Sequence, residues 1–440
     1  MAKESGNDPW DAARALPMGQ AIEIVDGAGH RWHGTVVRRH ELSGDRILPL
    51  KLGNGYNVGV RIDPGTTYRL SPRAPSDDLP APPSVPRSER AGRTAANAVA
   101  LLTTGGTIAS RIDYETGGVA PVSSEEEILS FYPDLATEGP VRVVRVLDRL
   151  SENIVPEDWV VLAEAIRSTF GRPLHGIVVA HGTDTMGFTA AALSFLFPRL
   201  PGPVVLVGAQ RSPDRPSSDG RSNLAAAVRL ARTGAFGEVV VLMHAGPSDD
   251  RFAIHRGTRV RKMHSTRRDA FLSPNTGPLG TIDGETVRWN ETPRSPTPGP
   301  VTIDGPIDPA GALLWFYPGL SPRAAEEFVR DRRGVILAGT GLGHVGELHL
   351  DWIERAVRRG CVVAMTTQCL GGEVDPFVYA TGRELVRRGV VFLGDMLPET
   401  AYAKLLWALG HDADPAAVAR RLVTPVAGEM GDRRRAGDAA

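Results

Sequence analysis

Two segments of the chain place hydroxyl and acidic side chains directly after short apolar runs. The first run, at 98–102, leads into TTGGT at 103–107, and the second, at 176–180, leads into HGTDT at 181–185. Ligands of α/β enzymes bind at the carboxyl ends of parallel strands, and glycines there let backbone N–H groups approach a ligand closely. We therefore expect one active site built from two loop tips, with the hydroxyl of Thr107 facing the cleft.

A threonine hydroxyl is a weak nucleophile unless a base takes its proton. Thr183 and Asp184 lie at the second strand end, and Lys262 lies in a long polar, basic stretch at 246–268, which we predict to be a loop. Lysine amines act as bases where burial or nearby cations disfavour the charged form. The pattern predicts a relay in which Lys262 accepts a proton from Thr183 or its bound water and Asp184 orients the pair. Two alternatives stay open: Asp184 as a helix N-cap, and the basic stretch as a solvated charge run.

Histidines and glycine runs give weaker signals. His181 precedes the second Gly-Thr turn, where it would act as a general base or, in the preferred interpretation, as a loop-shaping hydrogen-bond partner. His244, His255 and His264 lack metal-ligand spacing with acidic partners, so we assign no metal. The glycine run at 339–343 lacks the full dinucleotide-binding pattern, and a substrate-facing loop is the preferred interpretation.

These residues require a sheet with strand ends on one edge. From residue 98 onward, near-continuous apolar runs alternate with helical segments, which predicts a parallel sheet covered on both faces. The stretch at 293–309 carries six prolines and no periodicity. Beyond it, further short apolar runs alternate with helical segments at 321–332, 349–358 and 380–388, and a last helix ends at Leu409.

The N-terminal part follows a different pattern. Short alternating segments between glycine-rich turns predict a small all-β barrel, which is a structural addition or a docking module for a partner or nucleic acid. A Pro- and Ser-rich linker follows. We expect five regions: an N-terminal β-barrel docking domain at 1–70, the linker at 71–97, a large α/β domain with the catalytic residues at 98–295, a smaller C-terminal α/β domain at 296–425, and a disordered tail at 426–440.

Composition limits the function classes. The chain has 440 residues, 42% hydrophobic and 23% charged, with a formal net charge of −1, so bulk charge gives no indication of polyanion binding. Two cysteines argue against a disulfide framework. The start lacks a signal-peptide apolar core, and no run approaches membrane-span length. We expect a soluble, cytoplasmic protein without membrane contact.

The two strand-end motifs together resemble the signatures of the type I/II L-asparaginases. Further segments are similar to the GatD family of archaeal glutamyl-tRNA(Gln) amidotransferases, from about residue 20 to 430 and including the N-terminal β module. They are NGYNVGVRI, SRIDYETGGVAP, LSENIVPEDW, GAQRSPDRPSSDGRSNL, HRGTRVRKMHSTRRDAF, TTQCLGG and DMLPETAYAKLLWALG. The resemblance implies an asparaginase-like two-domain parallel-sheet fold preceded by a small β-barrel.

The resemblance also implies roles for individual residues. Thr107 would attack the side-chain amide of Gln or Asn, with Tyr114 over it, and Thr183, Asp184 and Lys262 would form the second triad. Backbone N–H groups around the Gly-Thr turns, at Gly106 and Gly182, would form the oxyanion hole. Ser151 and Glu152, helped by Asp184, would bind the α-carboxylate and α-ammonium groups.

In that family the products are an acyl-enzyme and free ammonia, which travels to an E-type amidotransferase partner that binds tRNA and activates Glu-tRNA(Gln). The resemblance implies a homodimer and no cofactor in this chain, with ATP and Mg on the partner only. The segments 71–97, 245–250 and 371–376 depart from the usual pattern. A free-standing asparaginase or glutaminase, an ammonia supplier to another ligase and a non-enzymatic scaffold are the alternatives.

Overall fold

Five short strands near the N-terminus form an antiparallel sheet with its own core. In the computed structural model, the described residues are 8–17, 19–37, 46–52, 57–70, 98–105, 110–112, 119–121, 132, 135, 138–211 and 218–431. Helix α1 (Pro9–Ala13) precedes strands β1 (Ala21–Val25), β2 (Arg31–Val36), β3 (Ile47–Leu52), β4 (Asn57–Arg61) and β5 (Thr67–Leu70), which lie in the order β4-β3-β2-β1-β5. Ile22 and Ile24 alternate with partly buried neighbours along β1 and enter a core shared with Leu50 and Ile62. This period of two places one face of the sheet against the core. The linker predicted at 71–97 lies outside the described residues.

An eight-stranded mixed sheet organises the middle of the chain. Its strands are β6 (Val99–Thr103), β9 (Val141–Arg145), β10 (Gly176–Ala180), β11 (Val204–Val207), β12 (Val239–His244), β13 (Arg251–Arg256), β16 (Gly280–Asp283) and β17 (Thr286–Trp289). The order is β17-β16-β13-β12-β11-β10-β6-β9. Strands β9, β6, β10, β11 and β12 run parallel, as predicted, whereas β13, β16 and β17 extend the sheet in antiparallel fashion. A short hairpin, β7 (Ser110–Ile112) with β8 (Val119–Pro121), precedes β9.

Helices cover both faces of the parallel strands. Helices α2 (Pro156–Phe170) and α3 (Met186–Leu196) share one core with Ile177 and Val179, and α4 (Gly220–Arg232) shares the other with Val178. Successive side chains of a strand point to opposite faces, so each strand contributes to two cores. That is why these strands are continuously apolar.

The predicted loop at 246–268 is wrong in part. Strand β13 occupies 251–256 with Phe252 and Ile254 buried, and Arg261–Lys262 forms β14, which pairs with β15 (Phe271–Leu272). Because β13 begins and ends with an arginine, its apolar centre was not recognised as a strand in the sequence. Two serines followed by three glutamates at 123–127 predict the start of a helix, and this segment lies outside the described residues.

A second, smaller sheet follows. Strands β18 (Gly311–Trp315), β19 (Gly334–Gly339), β20 (Val362–Thr367) and β21 (Val391–Phe392) are all parallel, and the helices are α5 (Pro322–Phe328), α6 (Leu350–Arg358), α7 (Ala380–Arg387), α8 (Pro398–His411) and α9 (Pro415–Val423). Trp407 of α8 stacks on Phe195 of α3 with ring centroids 5.7 Å apart. Helix α8 therefore joins the two α/β layers into one core.

The predicted start of the disordered tail at residue 426, in the range 426–440, is too early. Within 426–431, Ala427 and Glu429 are buried, and Glu429 packs against Lys404 of α8 with Nζ 2.5 Å from Oε1. Burial opposes the charge of Glu429, but the Lys404 ammonium and the Ala427 N–H outweigh it and hold the pKa of the carboxyl below its ordinary value. One buried ion pair therefore holds in place a segment whose composition predicted disorder.

In the described parts of the chain, no helix is long and apolar enough to cross a membrane.

Candidate active site

The ends of β6 and β10 lie side by side. Thr103 pairs with Ala180 in the parallel register, and both the N–H and the hydroxyl of Thr104 donate to the Ala180 carbonyl, at 3.0 and 3.2 Å. Gly105 has φ +97°, and a Cβ there would lie 2.5 Å from the Arg149 carbonyl oxygen. The first Gly-Thr turn thus begins beside the second and against the loop after β9. The predicted residues Gly106, Thr107 and Tyr114 lie outside the described residues.

Three side chains meet at the second strand end. Lys262 Nζ donates to Thr183 Oγ1 and to Asp184 Oδ1, each at 2.8 Å. Thr183 is buried, the Lys262 side chain is 12% exposed and Asp184 is 66% exposed. The amine therefore joins a buried hydroxyl to a carboxylate at the surface. An amine held between a hydroxyl and a carboxylate in this way can pass a proton from one to the other.

Lys262 reaches this point because β14 folds back on β15. Lys262 pairs with Phe271 across that hairpin, and Phe271 is buried in the core shared with α3. Arg261 and Lys262 are therefore held in a hairpin, whereas residues 263–267 between its strands are exposed, as a solvated charge run would be. Its two strands carry the amine to within 2.8 Å of a residue 79 positions earlier in the chain.

Asp184 does not cap the following helix. Helix α3 begins at Met186, its N-cap residue is Thr185, and no side-chain cap bond is formed. The hydroxyl of Thr185 instead donates to the Ser151 carbonyl at 2.7 Å. With the cap alternative removed, the Asp184 carboxylate stays available to Lys262.

The predicted amino-acid-binding residues lie against this turn. Ser151, in a short 3₁₀ turn at 151–153, is buried, while Glu152 is exposed. A Cβ on Gly182 would meet Ser151 Cβ at 2.7 Å and Oγ at 2.8 Å, so only glycine allows this approach. Ser151, Gly182 and the triad therefore form one contiguous group, with the Glu152 side chain at the surface next to it.

His181 has a structural setting. It is fully buried, its Nδ1 lies 2.6 Å from the Gly182 carbonyl oxygen and its Nε2 lies 2.9 Å from Thr189 Oγ1. Burial lowers its pKa to about 4. Both ring nitrogens are engaged, which favours the loop-shaping interpretation over a general base.

A second polar network along the same sheet edge was missed in the sequence. His244, at the end of β12, contacts Asn223 at 2.7 Å and Asp249 at 2.9 Å, and Arg268 of the β14–β15 hairpin donates to Asp249 at 2.8 Å. Burial alone would raise the pKa of Asp249, but the hydrogen bond with His244 and the charge of Arg268 outweigh it and hold that pKa below its ordinary value. In the sequence, the one sign of this network was that the segment 245–250 departs from the usual pattern of the family that the chain resembles. The network connects the tip of the β14–β15 hairpin to the large sheet.

Other candidate ligand sites are weaker. Across the described ranges, no cluster of His, Cys, Asp and Glu side chains is arranged to hold a metal ion. In the glycine run at 339–343, Thr340 bridges to His344, and a Cβ on Gly343 would collide with Met365, Val374 and Phe392. Gly343 is therefore required by packing, and a substrate-facing role for this loop stays a prediction.

Comparisons with known proteins agree with this architecture. Family models match three parts of the chain: "GatD N-terminal domain" at 16–69, "Asparaginase, N-terminal" at 98–295 and "Glutaminase/Asparaginase C-terminal domain" at 312–422. The four predicted site residues Ser151, Thr183, Asp184 and Lys262 fall within the second match.

Two relatives align with nearly the whole chain. The chain is 44% identical over 431 residues to the GatD subunit of the glutamyl-tRNA(Gln) amidotransferase of Methanopyrus kandleri, covering 94% of this chain and 92% of the relative. It is 44% identical over 422 residues to the protein of that name from Saccharolobus solfataricus, covering 94% and 93%.

Among solved structures, the thermostable L-asparaginase of Thermococcus kodakarensis matches with a TM-score of 0.70 and 35% identity, covering 76% of this chain and all of that one. The part that this asparaginase does not cover leaves room for the N-terminal module. The chain is an amidohydrolase of the asparaginase and glutaminase type, and it belongs to the GatD family of glutamyl-tRNA(Gln) amidotransferase subunits within the asparaginase superfamily.

Proposed function

We propose that the chain releases ammonia from the side-chain amide of Gln or Asn and delivers it to a partner subunit that converts Glu-tRNA(Gln) to Gln-tRNA(Gln). The observation that carries the proposal is the double contact of Lys262 with Thr183 and Asp184 at the carboxyl end of β10. The names of the full-length relatives support the tRNA-linked role.

In this mechanism Thr107 attacks the amide carbon, and Tyr114 assists from above. The hydroxyl proton of Thr107 passes to Thr183 or to water bound to it, which gives its own proton to the Lys262 amine. Asp184 orients that amine, and Lys262 then gives the proton to the amide nitrogen. Backbone N–H groups of Gly106 and Gly182 stabilise the oxyanion, which is commonly the largest single contribution in acyl transfer. The C–N bond breaks, ammonia leaves with the relayed proton, and water then hydrolyses the acyl-threonine.

Substrate recognition is proposed to use the loop before α2. Ser151 and Glu152 bind the α-carboxylate and α-ammonium groups, and the exposed Asp184 carboxylate contributes to the latter. The close approach of Gly182 to Ser151 supports this arrangement, because it holds the binding loop against the relay.

The partner and cellular setting complete the proposal. The chain works as a cytoplasmic homodimer without a cofactor of its own, while ATP and Mg act on an E-type amidotransferase partner that also binds the tRNA. A free-standing L-asparaginase is the second candidate, and the full coverage of the Thermococcus asparaginase by this chain favours it.

The first experiment measures ammonia release from Gln and from Asn by the purified chain, alone and with an E-type partner and charged tRNA. Release from Gln that rises when the partner is present supports the proposal. Strong release from Asn by the chain alone, unchanged by the partner, would establish the free-standing asparaginase instead.

The relay is tested by Lys262→Met. Loss of a general base costs about 10²- to 10⁴-fold in kcat, so we expect a decrease of that order with a small change in KM. The control is Arg323→Met, which removes an exposed cation from α5 of the smaller domain. Normal ammonia release by Lys262→Met would exclude the relay, and normal release by Thr107→Ala would exclude the proposed nucleophile.

A further inference from the structure

The residues just before Lys262 are fixed by two elements of the smaller domain. Thr258 and Arg259 are both buried. The hydroxyl of Thr400, in the first turn of α8, donates to the Thr258 carbonyl at 2.8 Å, and Glu399 forms an ion pair with Arg261 at 3.1 Å. The start of α8 therefore contacts the chain on both sides of Val260.

The second element is the segment 424–431, which we name the C-terminal strap. The Thr258 hydroxyl donates to the Ala427 carbonyl at 2.9 Å, and Arg259 Nε donates to the Gly428 carbonyl at 2.8 Å. Asp395 accepts from Arg259 Nη1 at 2.7 Å and from the Gly431 N–H at 3.0 Å. The strap thus forms hydrogen bonds with two consecutive residues that lead into β14.

A buried ion pair locks the strap onto α8. Lys404 Nζ donates to Glu429 and, at 2.8 Å each, to the carbonyls of Leu422 and Thr424, while Glu429 accepts from the Ala427 N–H at 2.7 Å. All three ammonium protons have acceptors, so the charges are compensated within the fold. The contacts form a closed loop from α8 through Lys404 and Glu429 to the strap, from the strap to Thr258, and back to α8.

We infer that the C-terminal strap, acting through Thr258 and Arg259, positions Lys262 for proton transfer. Thr258 and Arg259 are positioning residues, since neither forms a contact with Thr183 or Asp184 in the hydrogen bonds of the described residues. Lys262 must hold two 2.8 Å contacts at once, and a displacement of about 1 Å in such a group costs on the order of 100-fold in rate. The inference rests on the proposed role of Lys262.

The test compares single and double variants of the full chain. Thr258→Val removes the bond to the strap, whereas Thr258→Ser keeps a hydroxyl. We expect Thr258→Val to lower kcat for ammonia release by about 10- to 100-fold with KM nearly unchanged, and Thr258→Ser to retain most of the activity. Thr169→Val, which removes the hydroxyl bond to the Ala165 carbonyl in α2, is the control.

A double variant separates positioning from general loss of stability. Because the effect of Thr258 passes through Lys262, Thr258→Val should add no further loss in a Lys262→Met background. Arg259→Lys keeps a cation near Asp395 but loses the Nε donor. It should lower kcat as Thr258→Val does, and it replaces Thr258→Val in the test if that variant does not fold. All rates are measured well below each variant's unfolding midpoint.

Two results would overturn the inference in distinguishable ways. If Lys262→Met abolishes activity while folded Thr258→Val and Arg259→Lys keep normal kcat, or if the losses in the double variant multiply, the strap does not act through Lys262 and the proposed function stands. If Lys262→Met itself keeps normal activity, the proposed relay and this inference both fail.

Discussion

At the scale of single residues, the site depends on which polar groups are buried and what they contact. Lys262 gains acceptors on two sides, whereas His181 is enclosed so completely that its neutral form is favoured. His255, on β13, is likewise buried, with its Nδ1 2.8 Å from Ser273 Oγ. The buried histidines thus support the frame, whereas the Lys262–Asp184 pair meets the solvent through its carboxylate.

The two buried histidines make stability depend on pH. Burial lowers the pKa of each to about 4, while an unfolded histidine titrates near 6.5. Between these values the unfolded chain binds protons that the folded chain does not, so stability falls as the pH decreases from about 6.5 to 4, by up to about 1.4 kcal/mol per pH unit for each histidine. Urea unfolding from pH 7.5 to 4.5 measures this slope.

His181→Gln should reduce the slope by the share of one histidine. Glutamine has no group that titrates in this range, so the slope decreases even if the substitution also changes the free energy of unfolding at a fixed pH. His264→Gln, at an exposed position of the β14–β15 hairpin, is the control. An identical slope in His181→Gln and in the unmodified chain would contradict the buried-neutral assignment.

At the scale of elements, the site is built where a strand end, a turn and a hairpin converge. The 3₁₀ turn at 151–153 rests directly on Gly182, and the β14–β15 hairpin reaches in from the antiparallel side of the large sheet. The hairpin is attached at its base by the C-terminal strap and near its tip by the Arg268–Asp249 contact. Its placement therefore depends on both α/β domains.

Gly182→Ala tests the contact between the turn and the binding loop. The new Cβ would lie 2.7 Å from Ser151 Cβ and 3.2 Å from its backbone N, so the binding loop must move. We expect KM for Gln to rise and kcat/KM to fall by at least about 100-fold, given the sensitivity of rates to displacements near 1 Å. The assay is ammonia release over a range of Gln concentrations.

Gly246→Ala is the matched control, because nothing lies within 4 Å of a Cβ at that position. It should have nearly normal KM and kcat. If Gly182→Ala behaves like Gly246→Ala, Ser151 does not need its observed position for substrate binding.

At the scale of the whole molecule, the N-terminal β domain has a hydrophobic core separate from those of the α/β domains. The Thermococcus asparaginase is matched over its whole length by 76% of this chain. We therefore predict that the N-terminal domain serves a task other than hydrolysis, such as partner docking.

Deletion of residues 1–97 should separate the two tasks. We expect the shortened chain to release ammonia from Gln when alone at a rate within a fewfold of the full chain, but to lose transfer to tRNA-bound glutamate in the presence of the partner. Transfer is followed by formation of Gln-tRNA(Gln). Normal transfer by the shortened chain would exclude a docking role for this domain.

The sequence by itself determined the domain types and the parallel strands, because alternation of apolar and polar residues and continuous apolar runs follow from local backbone geometry. It also identified Thr183, Asp184 and Lys262 as relay candidates, and the structure brings these three together. Residues that fall outside the described ranges, Thr107 and Tyr114 among them, stay predictions.

Only the tertiary structure decided the rest. The apolar centre of β13 was hidden between charged ends, and the order of residues 426–431 depends on an ion pair between positions 404 and 429. The approach of Lys262 to Thr183 spans 79 positions and is set by sheet extension and by the strap. Such contacts depend on burial and on partners far away in the chain, which no local pattern of residues encodes.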